Sequence, residues 1–441
     1  MKPVVIVGAG LAGLTAATLL RRHGIPVRVY EASRNIAGLA RSERDADGFT
    51  YDFGAHFITN RLAAAVGMSA SCRHMPRYGE TVWLRGRTHA YPFGLMWNPS
   101  FLFSALAARA VAPLRAKPTT AAEWYRAQYG RRLADDVAIP ITEAWSGARA
   151  EELDASVGDK FATSLPRTIL LKLAGRVSKR TVAVGYSSTF RESPHVWHVY
   201  PEGGIGAVCE RLADEVRDAI HIESPVEAIL VEGDRAVGVR VKGEVVPATA
   251  VISTAPVHVL AKLVQGTDRL AHLSRFTYRP MVFVNVKLDG PSGLPDVVTW
   301  TPGPETPFFR LSDIGAGLPW LVPAGRSLVT CDIGCQVGDD VWSRPDEELG
   351  QLCVAGLERL VPGIAARYLG CRVMRTPLAY PVHRRAHEAD RERFEQGTGV
   401  EGLISIGRNG EFAHILMEDV YWRTRRKLMA LIDAAATPPV R

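Results

Sequence analysis

A chain of 441 residues, 47% hydrophobic and 22% charged, has room for two or three globular domains. The formal net charge of +7 comes from arginines spread along the chain, and no basic stripe alternates with aromatic residues, so nucleic acid is not an expected partner. Six scattered cysteines without a CxxC pair predict reduced thiols and a cytoplasmic location, and no apolar run approaches the ~20 residues of a membrane span.

The first thirty residues carry the strongest local pattern. Residues 3–7 form a short apolar run with β-branched side chains, which predicts a buried strand. The sequence GAGLAG follows at once, then good helix formers at 14–23, then a second apolar strand at 27–30 that ends on Glu31. Strand, glycine turn, helix, strand and acid in this order are typical of a dinucleotide-binding unit.

Each glycine has a separate expected task. Gly8 permits the tight turn, Gly10 leaves no Cβ to obstruct a pyrophosphate, and Gly13 lets the helix pack closely on the strand. The pyrophosphate would lie at the helix N-terminus, where N–H groups and the helix dipole favour an anion. Glu31 would accept hydrogen bonds from the adenosine ribose, and its charge disfavours a 2′-phosphate.

Residues 32–60 contain a loop with Gly38 and Arg41 and then the sequence DFGAH at 52–56. This order resembles the FAD-dependent family that includes flavin amine oxidases, protoporphyrinogen oxidases, phytoene desaturases and UDP-galactopyranose mutases. The resemblance implies that Arg41 reaches the FAD phosphates and that residues 54–56 lie by the isoalloxazine. The sequence departs from the family at Ala37, which occupies the place of the first glycine of a usual pair.

In residues 61–196 the sequence no longer predicts strands that alternate with helices. Residues 81–91 predict a hairpin, residues 100–115 a helix, and Thr120 with Glu123 the capping box of another helix. The sequence EAWSG at 143–147 resembles the helical insertion that covers the substrate in the protoporphyrinogen-oxidase-like and mutase-like branches.

Residues 169–180 are basic and amphipathic. We expect a solvated helix face there, and contact with a membrane surface is the second interpretation.

Residues 200–256 are expected to belong to the cofactor-binding domain again. Glycines at 203–206 form a loop that a neighbour can approach closely, and residues 221–251 alternate as a β-meander. The resemblance implies that the backbone of Val226 holds the adenine and that Thr254 lies in the loop leaving that sheet.

Residues 281–333 predict strands of a second sheet that forms the floor of a substrate pocket. Candidate lining residues are Trp300, Phe308, Phe309 and Arg310. Relatives that oxidise amines carry a lysine on the first of these strands, whereas this chain offers only Lys287 near its far end. His56 and Arg310 are candidates for catalytic residues, and the catalytic acid and base are otherwise unassigned.

Residues 403–407 predict a last strand, and the sequence from Gly407 to Glu418 resembles the family's closing motif, which completes the FAD site. A helix N-terminus at Met417 would stabilise negative charge on the flavin, although Glu418 and Asp419 are also explained as helix caps. No cysteine lies near 407–411, so FAD is expected to be non-covalent.

The expected fold is α/β, with a Rossmann-like FAD-binding domain of the glutathione-reductase type, with β-meander, interleaved with a mixed-sheet and helical substrate domain. The FAD-binding domain takes residues 1–60, 197–275 and 395–441, and the substrate domain takes 61–196 and 276–394. The cofactor-binding residues predicted from the glycine pattern and from the resemblance are Gly8, Gly10, Leu11, Ala12, Gly13, Glu31, Ala32, Gly38, Leu39, Ala40, Arg41, Gly54, Ala55, His56, Val226, Thr254, Gly407, Arg408, Met417 and Glu418.

The favoured reaction is hydride removal from a C–N or C–C bond of a small organic substrate. A mutase-like isomerisation without net oxidation is the first alternative. A non-catalytic binding protein similar to Rab GDP-dissociation inhibitors is the second, and the intact glycines and Arg41 count against it. No metal is expected, because His383 and His387 are separated by two arginines and lack a third ligand. Only nine of the 53 basic residues are lysine, which suggests a GC-rich bacterial genome and specialised metabolism.

Overall fold

The computed structural model describes residues 2–54, 56–91, 93–111, 116–160 and 165–436. Its strands are short in the N-terminal half and longest in the second sheet. In chain order they are β1 (Val4–Val7), β2 (Val27–Tyr30), β3 (Ser42–Arg44), β4 (Thr50–Asp52), β5 (Ile58–Thr59), β6 (Cys72–His74), β7 (Glu80–Leu84), β8 (Arg87–Ala90), β9 (His198–Pro201), β10 (Ile220–His221), β11 (Val226–Glu232), β12 (Arg235–Val241), β13 (Glu244–Pro247), β14 (Ala250–Ser253), β15 (Val264–Gln265), β16 (Tyr278–Asp289), β17 (Val298–Trp300), β18 (Arg310–Asp313), β19 (Arg326–Gly334), β20 (Tyr368–Pro381) and β21 (Leu403–Ser405).

The helices separate these strands and cover their faces. They are α1 (Leu11–Arg22), α2 (Asn60–Ala65), α3 (Phe93–Met96), α4 (Pro99–Val111), α5 (Ala121–Leu133), α6 (Ile139–Ser146), α7 (Leu165–Ser178), α8 (Gly206–Ala213), α9 (Val257–Leu263), α10 (Ile314–Gly317), α11 (Asp340–Ser343), α12 (Asp346–Leu360), α13 (Glu388–Glu395), α14 (Gly407–Gly410) and α15 (Met417–Ala436). No helix in the described ranges is both long enough and apolar enough to cross a bilayer.

A five-stranded parallel sheet has the order β10-β2-β1-β14-β21. Its strands come from three distant parts of the sequence, and side chains on β1 alternate between its two faces. Ile6 packs in the core that contains α1, whereas Val5 and Val7 pack in the core shared with the meander strands. Apolar β1 is therefore covered on both sides, which explains its uninterrupted hydrophobic sequence.

The meander sheet has the order β13-β12-β11-β15, and its first three strands pair antiparallel. A seven-stranded sheet has the order β20-β16-β19-β18-β17-β7-β8, in which only β17 and β7 pair parallel. Helix α12 covers one face of this sheet through a core that includes Val284, Leu311 and Leu357. Met281 and Phe283 point to the opposite face, where the main core lies.

Most predicted elements are confirmed with shifted ends. The first helix begins at Leu11, three residues before the predicted start, because the glycine turn closes directly into it. The hairpin and the capping box of Thr120 and Glu123 are confirmed. The meander predicted for 221–251 is confirmed between Val226 and Pro247, whereas His221 and residues 250–251 belong to β10 and β14 of the parallel sheet. The helix predicted for 100–115 runs from Pro99 to Val111, and residues 112–115 lie outside the described residues. The strand predicted at 308–310 instead begins at Arg310.

The solvated face expected on α7 is exposed, and it carries apolar side chains as well as basic ones. Leu170, Leu173 and Val177 lie three and four residues apart on one side of the helix, and each is exposed. The basic side chains Lys172 and Arg176 flank this side rather than occupy it. The exposed stripe of α7 is therefore apolar.

Candidate functional site

The glycine turn between β1 and α1 is shaped by close backbone contacts. Gly8 has φ +99°, and a Cβ there would lie 2.3 Å from Thr254 Oγ1. A Cβ on Gly13 would lie 2.0 Å from the carbonyl oxygen of Gly8. Gly10 differs, because an added Cβ would meet no atom closer than 4.0 Å. Protein packing thus explains two of the glycines and leaves open space beside the third.

The N-terminus of α1 opens onto that space. Gly10 is its N-cap residue, with extended backbone and no capping side chain. The first N–H groups of a helix have no intrahelical acceptor, so those of Leu11, Ala12 and Gly13 can serve a ligand. The helix dipole adds positive potential at the same point. This arrangement suits a phosphate group.

Glu31 lies at the end of β2 beside the same turn. Its carboxylate accepts hydrogen bonds from the backbone N–H of Ala9 (2.8 Å) and of Ser33 (2.9 Å). The side chain is therefore held against the glycine turn, with acceptor capacity left over for hydroxyl groups. Ala32, the next residue, is exposed.

The second loop packs directly on the first. Ala37 donates its N–H to the Ala9 carbonyl (2.8 Å), and a Cβ on Gly38 would lie 3.7 Å from Gly10 Cα. Ala37 keeps the left-handed backbone of the missing glycine, with φ +76°. Leu39 and Ala40 continue as a short 3-10 turn that leads to Arg41.

Arg41 does not point freely into the cleft. Its Nη2 donates to Glu43 Oε1 (2.8 Å), and its guanidinium lies 5.5 Å from the Phe53 ring centroid. Its buried Nε has no partner in the described structure. Arg372 donates to the other oxygen of Glu43 at 2.6 Å, so this carboxylate already has a second cation. Arg41 can therefore exchange Glu43 for a phosphate without leaving Glu43 unpaired.

Two distant segments meet the glycine turn. Thr254 donates its hydroxyl to the Val7 carbonyl (2.8 Å). A Cβ on Gly407, which has φ +82°, would lie 2.6 Å from Ala12 Cβ. Residues about 250 and 400 positions away in the sequence therefore lie against the glycine turn and the first turn of α1, respectively.

Val226 reaches the ribose end of this site through β11. Ser224 donates its N–H to the Glu31 carbonyl (2.8 Å), and Val226 starts the strand two residues later. The Val226 side chain is buried in the core shared with Val5 and Tyr30. Its proposed contact with adenine would use the backbone.

Residues of the segment 52–56 serve different purposes: one anchors neighbouring segments and another allows close packing. Asp52 is buried and accepts hydrogen bonds from the hydroxyls of Ser42 and Tyr200, so it anchors three segments to one another. Gly54 has φ +78°, and a Cβ there would lie 3.1 Å from the Phe283 ring and 3.4 Å from Arg310 Nη2. Ala55 lies outside the described residues.

Three basic side chains gather beside Gly54. Burial and, to a smaller extent, the charges of Arg408 and Arg310 together lower the pKa of His56 to about 4, against a hydrogen bond with the Phe53 backbone. His56 is therefore neutral at pH 7, and its Nε2 has no partner in the described structure. Arg310 forms an ion pair with buried Asp332.

Arg408 differs from Arg310 in its neighbours. Burial lowers the pKa of Arg408, and nearby Arg310 lowers it further, although Tyr380 acts in the opposite direction. Its Nη2 donates to the Ala379 carbonyl (2.9 Å), and the guanidinium lies 5.0 Å from the Tyr380 ring centroid. A buried guanidinium supported by a carbonyl and a ring has a strong preference for an added anion.

Aromatic side chains enclose the arginines. Tyr380 contacts both Trp145 and His414, with ring centroids 5.4 and 5.1 Å apart. Trp145 belongs to α6, so the EAWSG segment lies beside His414 of the closing motif, with ring centroids 4.9 Å apart. Tyr78 and Tyr186, whose pKa values burial raises far above the ordinary range, contact His198 on the other side.

Glu418 and Asp419 have roles that sequence reasoning missed. Fully buried Glu418 accepts hydrogen bonds from Thr59 (2.6 Å), Arg61 (2.7 Å) and Trp422 (3.0 Å). Asp419 accepts from the backbone N–H of Ser188 at 2.7 Å. The explanation as simple caps is wrong, because both carboxylates tie α15 to other segments.

The Glu418 side chain is thus occupied by protein donors, which leaves only its backbone for a cofactor. Met417, at the first position of α15, is buried in the main core.

Phe308 is not a lining residue. It packs in the core under the second sheet, and a Cβ on Gly356 would lie 2.8 Å from its ring. Phe309 and Trp300 instead belong to the main core and its border. Phe308 and Phe309 therefore pack in different cores, although they are adjacent in the sequence.

Lys287 lies far along β16. Its Nζ contacts Asp47 (3.1 Å) and Asp45 (3.7 Å) near the Phe49 ring. Phe283, two alternate positions earlier on the same face, is the β16 residue that contacts Gly54. A conventional lysine is therefore missing from this position. In the described residues no three His, Cys, Asp or Glu side chains are grouped to hold a metal.

The residues fit FAD. The open space at Gly10 lies beside an anion-favouring helix end, and Glu31 has spare acceptor capacity. Several buried polar atoms in this region have no protein partner in the described structure, as expected where a polar cofactor supplies the partners. They are Arg41 Nε, His56 Nε2, Arg310 Nε, Arg408 Nε, Asn409 Oδ1 and His414 Nδ1.

The chain resembles several curated proteins. It is 28% identical over 285 residues to a zeta-carotene-forming phytoene desaturase of Myxococcus xanthus, covering 57% of this chain and 53% of that protein. It is 23% identical over 274 residues to mouse flavin-containing amine oxidase B, covering 57% and 50%. The chain thus spans about half the length of these two relatives. It is 24% identical over 395 residues to a hydroxysqualene dehydroxylase of Rhodopseudomonas palustris, covering 82% and 84%.

Solved structures show the same fold. A reduced UDP-galactopyranose mutase superposes with a TM-score of 0.79 at 19% identity, covering 99% of this chain and 97% of that chain. The family profile described as flavin containing amine oxidoreductase matches residues 11–384. Because this profile covers most of the sequence, the chain belongs to the flavin-containing amine oxidoreductase family, whose cofactor is FAD.

Proposed function

We propose that the protein is an FAD-dependent oxidoreductase that removes a hydride from a C–N or C–C bond of a small organic substrate. The observation that carries this proposal is the meeting of Gly10, Thr254 and Gly407 at one helix end, beside a cluster of unpartnered polar atoms. Bound FAD would supply the hydride acceptor.

The chain's own groups divide the binding task. The first N–H groups of α1 and the Arg41 guanidinium would hold the diphosphate, and Glu31 would accept hydrogen bonds from the ribose. Gly54 lets the end of β4 pack closely against the Phe283 ring and Arg310, and the isoalloxazine would lie beside this segment. His56, neutral at pH 7, would donate or accept a hydrogen bond beside that ring system.

The substrate pocket favours an anionic or neutral substrate group over an ammonium group. Arg310 is neutralised by Asp332, whereas Arg408 is supported by a carbonyl and an aromatic ring. A protonated amine placed beside Arg408 would be repelled in this buried setting. A substrate with a carboxylate or phosphate group would supply the missing counter-charge.

Anaerobic spectroscopy tests the reaction type. Oxidised holoprotein would be mixed in turn with amine, amino-acid and hydroaromatic compounds while the flavin absorption band is followed. The proposal expects bleaching by a substrate that carries an anionic group, and at least a tenfold slower bleaching in Arg408→Gln. The exposed Arg28→Gln variant is the control. Bleaching only by cationic amines, with no dependence on Arg408, would contradict the pocket assignment.

A flavin-dependent isomerase without net oxidation is the second candidate. Phe283 rather than lysine contacts Gly54, and two arginines face the pocket, which suits an anionic sugar nucleotide. The fold shared with UDP-galactopyranose mutase is compatible with this candidate. Turnover of such a compound only after dithionite reduction, with no flavin bleaching by any substrate, would favour the isomerase.

The glycine turn and Arg41 disfavour a function of binding without catalysis. The glycines and Arg41, which a binding protein of the GDP-dissociation-inhibitor type would not need, are present, and Gly10 borders open space. A purified protein that stays colourless after saturation with FAD would reverse this judgement.

A further inference from the structure

Two helices of the segment between β5 and β9 expose large apolar side chains. On α7, Leu170, Leu173 and Val177 are 70%, 53% and 87% exposed. On α4, Phe103 and Leu106 are 69% and 55% exposed. Single exposed apolar residues are ordinary, but a stripe along one helix with a second group on another helix marks an interaction surface. We call these five residues the apolar ridge.

The two helices belong to neighbouring parts of the structure. Lys172 of α7 donates its ammonium to the Tyr91 carbonyl at 3.3 Å. Tyr91 lies at the end of β8, shortly before α3 and the 85%-exposed Trp97, which leads into α4. This hydrogen bond joins α7 to the segment that leads through exposed Trp97 into α4.

The sequence around the ridge has only one sign of charge. Residues 81–122 contain five lysines and arginines and no aspartate or glutamate, and residues 161–191 contain six and again none. Arg109, Arg176 and Lys179 are exposed beside the ridge. A surface for a protein partner usually mixes charges at its rim, whereas leucine and phenylalanine flanked by cations are typical of helices that lie in an anionic lipid surface.

We propose that the apolar ridge docks the protein on the surface of a bilayer rich in anionic phospholipid. Leucine, phenylalanine and valine would enter the boundary between headgroups and acyl chains, while Arg109, Arg176 and Lys179 stay at the level of the phosphates. Docking needs no membrane span and is independent of the reaction catalysed.

Vesicle flotation of the FAD-loaded protein tests this docking. Vesicles of phosphatidylcholine alone are compared with vesicles of phosphatidylcholine and phosphatidylglycerol, at low and high salt. We expect binding only to the anionic vesicles and at least tenfold weaker binding at high salt. The triple variant Leu170→Gln, Leu173→Gln, Val177→Gln is expected to lose at least tenfold in vesicle affinity.

The matched control is the double variant Val245→Gln, Val337→Gln. It changes two valines that lie outside the apolar ridge and are 57% and 58% exposed. It is expected to bind like the unchanged protein. Unaltered flavin absorbance and thermal unfolding show that each variant is folded. Three results would overturn the docking: no binding to anionic vesicles, equal binding by triple variant and control, or a self-associated protein that the triple variant converts to monomers without any vesicle binding.

Discussion

Gly10 and Gly13 belong to one turn, yet a methyl group added to each meets different surroundings. At Gly10 it faces the open space proposed for the pyrophosphate, and at Gly13 it lies 2.0 Å from a backbone oxygen. We therefore predict that Gly10→Ala lowers FAD affinity at least tenfold and changes the unfolding free energy of the FAD-free protein by about 1 kcal/mol or less. Fluorescence titration with FAD and chemical unfolding provide the two readings.

Gly13→Ala is the matched comparison. Its Cβ forces α1 away from the glycine turn, so we expect the FAD-free protein to lose about 1–3 kcal/mol of stability. Equal loss of stability in both variants would show that Gly10 is also a packing glycine and that no ligand space exists beside it.

Arg41 is expected to bind a phosphate of FAD. Its Glu43 partner retains Arg372, so a phosphate can take Arg41 at little cost. Arg41→Gln is expected to weaken FAD binding roughly tenfold to a hundredfold, the worth of a charge-assisted hydrogen bond. Exposed Arg44→Gln is the control. Unchanged affinity in the Arg41 variant would assign the phosphates to other groups.

At the scale of elements, α15 is held in place by its first turn. Buried Glu418 accepts from Thr59, Arg61 and Trp422. Removing one charge from a buried, hydrogen-bonded pair leaves Arg61 without its counter-charge. We predict that Glu418→Gln costs about 2–4 kcal/mol of unfolding free energy, measured by urea denaturation.

Glu401→Gln removes an exposed ion pair with Arg235 and serves as the comparison. Its cost is expected to stay below about 1 kcal/mol. A Glu418 variant as stable as this comparison would mean that the hydrogen bonds at the start of α15 are not important for anchoring that helix.

Sequence patterns located the elements well where the pattern is local. The run at Val4–Val7, the turn residues Arg85 and Gly86, and the capping box at Thr120 each depend on neighbours within a few positions. Glu418 was misjudged because two of its three partners, Thr59 and Arg61, lie some 360 residues away in the sequence. An acidic residue in the first turn of a helix predicts a helix cap, and this prediction is the same whether or not distant partners exist.

At the scale of the whole molecule, buried histidines make stability depend on pH. His198 is 1% exposed, and burial lowers its pKa to about 4 against a hydrogen bond with the Ile58 backbone. The unfolded chain takes up the proton near pH 6.5, before the folded protein does. The contribution of His198 to the unfolding free energy is therefore fully present above pH 6.5. It is lost as the pH falls toward 4, and the loss is on the order of 3 kcal/mol.

Replacing His198 isolates this contribution. His198→Gln should flatten the loss of unfolding free energy between pH 6.5 and 4, whereas exposed His23→Gln should not. Urea denaturation of the holoprotein across this range gives the measurement. An unaltered pH profile in the His198 variant would place the titrating groups elsewhere, with His56 the next candidate.

The site as a whole was only partly predictable. The glycine turn and Glu31 follow from local spacing, and the contacts of Thr254 and Gly407 with that turn were expected from the resemblance. The environment of Arg408 and the burial of Phe308 depend on how distant sheets face each other, which periodicity does not encode. The domain limits and the subtype of the dinucleotide fold stay predictions.

The most direct measurement is the crystal structure of the FAD-saturated protein. We predict a diphosphate at the N-terminus of α1, within hydrogen-bond distance of the first N–H groups, and a ribose hydroxyl on Glu31. The isoalloxazine should lie beside Gly54 and His56. A cofactor bound elsewhere, or a cleft at Gly10 filled by side chains of the protein, would contradict the proposed convergence of the three segments.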